Sequence, residues 1–130
     1  MIPRFRAWDK KTQTMLDVSL IDFKKSVLIG EHWEFGETNF INFDEIELIQ
    51  STGLCDKEGT EVFEGDILHH QIQTEYTFIV KYDKDKGRWY GDGLSRTYRI
   101  DIAKRFLPHY YKVIGNIYEN QELLEVENEN

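Results

Sequence analysis

The sequence predicts a small, mainly β protein with short helical segments at most. Three observations carry that prediction. Val, Ile, Phe, Tyr, Trp and Thr dominate the apolar segments, and these side chains suit a pleated, half-buried surface. The apolar runs are short and punctuated by Gly, Asp and Asn at the spacing of roughly 8–12 residues expected of an all-β domain. Met and Leu are sparse and helical periodicity is scarce, which argues against a bundle.

Arg4 to Trp8 alternates Phe5 and Ala7 against Arg4 and Arg6 and reads as a strand. Asp9-Lys10-Lys11-Thr12 reads as a turn, and Met15 to Val18 returns as the second strand of a hairpin. Val27-Leu28-Ile29 is a third run, expected to stop at Gly30. Residues 30–39 read as a loop in which Trp33 and Phe35 alternate with polar residues. In Phe40 to Gln50, Ile41 and Phe43 are out of phase with Ile46 and Leu48, so a bend or bulge is expected at Asp44-Glu45. A helical turn over Glu45 to Gln50 is the alternative.

Asp56-Lys57-Glu58-Gly59 and Glu64-Gly65-Asp66 are turn sequences, and Gly53, Gly59 and Gly65 recur as turn glycines would. Tyr76 to Tyr82 carries apolar groups on both faces, as a central strand does. Asp83 to Gly87 is a hairpin loop and Arg88-Trp89-Tyr90 the return strand. In Tyr98 to Leu107, Ile100, Ala103, Phe106 and Leu107 fit helical spacing, with Pro108 as the stop. Tyr110 to Tyr118 is a late strand with a bulge at Gly115, and the acidic residues 121–130 read as a frayed end.

A chain of 130 residues without an internal repeat or linker predicts one domain over 1–130. The single cysteine, Cys55, forbids an intrachain disulfide and suits a reducing compartment. No run approaches the ~20 apolar residues that span a bilayer, and the first residues lack a signal-peptide pattern. A cytoplasmic protein without membrane contact is expected. The net charge of −8 hides a block structure. Residues 31–66 hold one basic and eleven acidic residues, whereas residues 67–118 hold nine basic and five acidic. Residues 119–130 add five acids and form an acidic tail.

Several motifs together resemble the YopX family. They are Phe5-Arg6-Ala7-Trp8-Asp9, Ile46 to Leu54, Asp56-Lys57-x-Gly59, Glu64-Gly65-Asp66-Ile67, and Val113-Ile114-Gly115-Asn116-Ile117-Tyr118-Glu119-Asn120. Cys55 and Glu58 depart from the family pattern, which has lysine and often asparagine there. The resemblance implies a phage or prophage protein of Gram-positive bacteria. It also implies an N-terminal β subdomain over residues 1–49 and an SH3-like barrel over residues 50–118. No activity and no catalytic residue come with it.

The residues themselves offer little chemistry. His69 and His70 are adjacent on a strand and face opposite ways. Asp66 and His70 share a face and are a conceivable pair of ligands, yet no zinc spacing is present. The plainer reading is two exposed edge histidines. Gly93 to Thr97 lacks the second glycine of a nucleophile elbow. The acids beside Cys55 disfavour a thiolate. No enzyme, metal or cofactor is therefore expected.

The strongest functional signal is residues 81–112, where nine cations meet four acids and interleave with aromatic residues. Arg88, Trp89, Tyr90, Arg96, Tyr98 and Arg99 are the candidate contact residues. Cations that follow a backbone and rings that stack on bases are how single-strand binders work. The flanking acidic blocks oppose a polyanion, so nucleic acid stays the alternative. The favoured reading is a non-enzymatic interaction or assembly module. Its partner is a second copy of itself, a phage protein or a host protein. Three tryptophans and seven tyrosines favour a homo-oligomer.

Overall fold

The computed structural model describes residues 4–94, 99–102 and 107–128, with side chains to residue 124. The protein is mainly β, and the chain divides into two compact units, residues 1–51 and 52–130.

The first unit holds β1 (Phe5–Asp9), β2 (Thr14–Asp22), β3 (Val27–His32), β4 (Gly36–Glu37), β5 (Ile41–Asn42) and the start of β6 (Ile46–Cys55). They run antiparallel in the order β4-β3-β2-β1-β6, with β5 also paired to β3. One face packs Ala7, Leu16, Leu28 and Ile46 into a buried cluster. The phase break at Asp44-Glu45 is a single 3-10 turn, Phe43–Glu45, after which β6 begins at Ile46. Gly30 does not end β3. It lies inside the strand because a Cβ there would stand 2.8 Å from the Cβ of Leu16, so only glycine lets the two strands close.

The second unit continues β6 and adds β7 (Glu61–Phe63), β8 (Asp66–His70), β9 (Thr77–Asp83), β10 (Arg88–Gly93), β11 (Arg99–Asp101) and β12 (Tyr111–Asn116). Two helices complete it, α1 (Leu107–Tyr110) and α2 (Gln121–Asn128). Val62, Leu68, Phe78, Val80, Leu107 and Tyr111 form its core, with Trp89 and Ile100 packed against them. Burying an apolar side chain of this size contributes roughly 1.5–3 kcal/mol, so this cluster dominates the unit's stability.

The barrel implied over residues 50–118 is not closed among the described residues. The five strands form an open antiparallel ladder, β11-β10-β9-β8-β12, while β7 pairs with β6. Closure requires the first and last strands of the ladder to pair at a matching tilt and stagger. Among the described residues β11 and β12 end the ladder without pairing to each other.

Four local expectations change. Gly53 sits within β6 rather than in a turn, at φ +78°. Pro108 opens α1 instead of ending a helix, because proline in a first turn forfeits no hydrogen bond. Ile100 lies in β11, and residues 103–106 of the expected helical stretch fall outside the described residues. The acidic end, read as frayed, forms α2, and Glu122 in its first turn suits the positive end of the helix dipole.

Candidate functional site

The second unit carries an aromatic groove of about 770 Å³. It is built from a hairpin loop and a strand start. At the end of β8, the Nδ1 of His70 accepts hydrogen bonds from the backbone N–H groups of Ile72 (3.1 Å) and Gln73 (2.8 Å). That pairing holds the loop from Gln71 to Tyr76 in shape, and the His70 N–H closes it on the Tyr76 carbonyl at 3.0 Å. The Gln71 N–H donates to the Tyr110 carbonyl at 2.8 Å, which fixes the junction of α1 and β12 against the loop.

These bonds assemble the walls. The buried His70 ring stacks on Tyr110 at 5.3 Å and meets Tyr111 edge-on at 5.0 Å. Tyr76 stacks on Phe78 at 6.4 Å, and Phe78 meets Tyr111 at 5.8 Å. Ile72 and Ile100 supply aliphatic surface, Gln73 and Asp101 polar ends. Ile72 is 70% exposed and Tyr110 39%, so the rim carries apolar groups into solvent. A concave, mostly apolar site of this volume falls within the roughly 300–1,000 Å³ of ordinary recognition pockets. With Nδ1 accepting from the backbone, the imidazole proton belongs on Nε2 and the ring serves as a wall and loop anchor.

Strand alternation divides the sequence-predicted contact residues. Arg88 lies opposite Asp83, and Tyr90 opposite Lys81 and Asp101, so these share one face. Trp89 points the other way, into the core, with Tyr82 edge-on at 5.0 Å. Arg99 reaches that first face, its guanidinium 4.1 Å above the Tyr90 ring. Arg96 and Tyr98 lie outside the described residues. The face is a chequerboard rather than a cationic track. Arg99 pairs with Asp83 at 3.4 Å, Arg88 with Asp101 at 3.6 Å and Lys81 with Asp92 at 2.6 Å. The Lys86 N–H holds the Asp83 carboxyl below the ordinary aspartate range; burial opposes it, and the Asp85 N–H and the Arg99 charge add to the lowering.

The histidines are not exposed edge residues, because β8 runs between β9 and β12. His70 is buried, and the Nδ1 of His69 is 2.9 Å from the Thr77 hydroxyl. Asp66, the other conceivable ligand, uses Oδ2 to accept the Phe63 N–H at 2.8 Å. Sequence reasoning missed the groove. Its one local signal was aromatic residues gathered at Tyr76-Phe78 and Tyr110-Tyr111, and their meeting depends on the pairing of β8 with β12.

Two antiparallel sheets, an aromatic groove and a face of paired charges define a small, mainly β protein. The chain belongs to the YopX protein family, whose pattern matches residues 4–125. It is similar over 95% of its length to protein EF1440 from Enterococcus faecalis, covering 99% of that chain with 31% identity and a TM-score of 0.70. Protein yopX from Bacillus subtilis shares the fold, with 16% identity, a TM-score of 0.56, and coverage of 93% of this chain and 95% of that one. Comparison with curated proteins finds no match. Among the described residues no helix is long and apolar enough to cross a membrane.

Proposed function

We propose that the protein is a non-enzymatic interaction module of phage or prophage origin, working in the host cytoplasm, whose aromatic groove receives bulky apolar side chains of a protein partner. The observation that carries the reading is the groove itself. Rings from β8, β9 and the α1–β12 junction converge on one apolar cavity whose rim residue Ile72 stands largely in solvent. Aromatic walls offer large contact area at low entropic cost, as interface anchors require. The alternative, single-stranded nucleic acid on the Arg88–Tyr90–Arg99 face, is disfavoured by the aspartates that neutralise those cations.

Selection of random displayed peptides against the full chain tests this. The expected winners carry an aromatic or aliphatic anchor and bind Ile72→Glu at least ~10-fold more weakly, because the new charge sits at the groove mouth. Winners indifferent to Ile72→Glu, or oligothymidylate binding tighter than any peptide, would overturn the proposal.

A further inference from the structure

Two turns of this chain hang on imidazole nitrogens where four similar turns hang on oxygens. The Nδ1 of His32 accepts the N–H groups of Glu34 (3.1 Å) and Phe35 (3.3 Å). The Nδ1 of His70 accepts those of Ile72 and Gln73 in the same way. Asp9, Asp22, Asp83 and Asn116 hold the corresponding amides of their turns on a side-chain oxygen. The two histidines serve aromatic surface. His70 carries the loop at the groove, and His32 carries the hairpin tip where Trp33 is 88% exposed and Phe35 75%. The His32 ring also stacks on both, at 5.6 Å on Trp33 and 4.7 Å on Phe35.

We infer that His32 and His70 are proton-operated latches: uptake of a proton releases the aromatic tip and the groove loop, while the oxygen-held turns keep their shape. In the neutral ring Nδ1 offers the lone pair that the two amides share, and the proton sits on Nε2. A second proton can bind only at Nδ1. It consumes that lone pair and leaves an N–H facing two N–H donors, at 3.1 and 2.8 Å for His70. Both bonds are then lost, so the latch is closed at neutral pH and opens as pH falls. Histidine titrates between about pH 5 and 8, whereas an asparagine oxygen does not titrate and a paired aspartate is already ionised there. Asp83, its carboxyl held low, keeps its turn through this range. The His70 ring is enclosed by Tyr76, Tyr110 and Tyr111, with His109 edge-on behind Tyr110 at 6.1 Å. The charged residue of the described groove lining is Asp101, which pairs with Arg88. His32 stands among exposed Glu31, Glu34 and Glu37, from its own strand, the tip and β4. Asp17 on β2, opposite Glu31, pairs with Arg6. The release goes beyond the groove reading, because it does not depend on what the groove receives and is read on the free protein.

Amide NMR of the full chain, titrated from about pH 8 to about pH 5, decides it. The Ile72 and Gln73 amides are expected to shift in step with the ring protons of His70, and the Glu34 and Phe35 amides with those of His32. Each pair is expected to exchange at least ~10-fold faster once its histidine is protonated, after correction for the intrinsic rate. The Asp85 and Lys86 amides, held by Asp83, are expected to stay unchanged. His70→Asn and His32→Asn each keep a side-chain acceptor and remove the titration. Each is expected to abolish the response at its own loop and leave the other loop as in the wild type. Loop amides that ignore the protonation of their histidine, or histidines that stay neutral down to the end of the titration, would overturn the proposal. So would Asp83-held amides that change together with the loops, or an asparagine variant that keeps the wild-type response. The wild-type titration decides the matter even where a variant fails to fold.

Discussion

At the scale of single residues, one device recurs through the chain. Six strands end on a residue whose side chain accepts the N–H groups two and three positions ahead: Asp9, Asp22, His32, His70, Asp83 and Asn116. Each satisfies turn amides that no ladder can reach, and each stops its strand there. Asp56 goes further. It is 2% exposed, and its Oδ1 accepts from Glu58 and Thr60 while Oδ2 accepts from Val113, 57 positions away. One carboxylate thus shapes a turn and ties it to β12. Asp56→Ala leaves three amides without that acceptor and is expected to cost about 3 kcal/mol, read as a fall in Tm of roughly 10 °C. Glu58→Ala removes only the exposed pair with Lys112 and is expected to change stability by less than about 0.5 kcal/mol. Equal effects in thermal unfolding would contradict this assignment.

At the scale of elements, the β9–β10 hairpin shows how the local code becomes structure. Asp83 ends β9, accepts from Asp85 and Lys86, and pairs with Arg99 on β11. Its carboxyl therefore has a lowered pKa in the folded chain. A lowered folded value means stability is gained above the unfolded value of about 3.9 and lost as pH falls through the folded one. Asp83→Asn is expected to destabilise the protein at neutral pH, with the gap to wild type closing as acid protonates Asp83. A gap that persists unchanged into acid would assign the loss to geometry instead. This hairpin was legible in the sequence because an Asx acceptor, Asp83, and a glycine, Gly87, bracket three residues between two runs of period two. The break at Asp44-Glu45 was legible for a similar reason, as a slip in phase. Pro108 and Gly30 were misread because each is decided by a neighbour distant in sequence or by its place in a first turn. Gly115 was read correctly, since the β8–β12 register shifts between Val113 and Gly115, and a Cβ there would lie 2.5 Å from the Asn120 side-chain oxygen.

At the scale of the molecule, the mainly β class followed from composition and turn spacing, whereas closure of a barrel did not follow from either. Closure depends on the tilt and stagger that bring the terminal strands together, and among the described residues β11 and β12 do not pair. The candidate site was less legible still. Basic and aromatic letters between 81 and 112 drew attention to one face, yet the structure pairs its cations with Asp83, Asp92 and Asp101. The groove needed β8 and β12 to pair before His70 and Tyr110 stood ring to ring. Its function as the recognition surface is the central claim, and hydrogen exchange of the full chain with and without a selected peptide tests it most directly. The account expects protection to rise in the Gln71–Tyr76 loop and around Tyr110 and Tyr111, with the Arg88–Gly93 strand unchanged. Protection centred on that strand, with the loop unaffected, would contradict it.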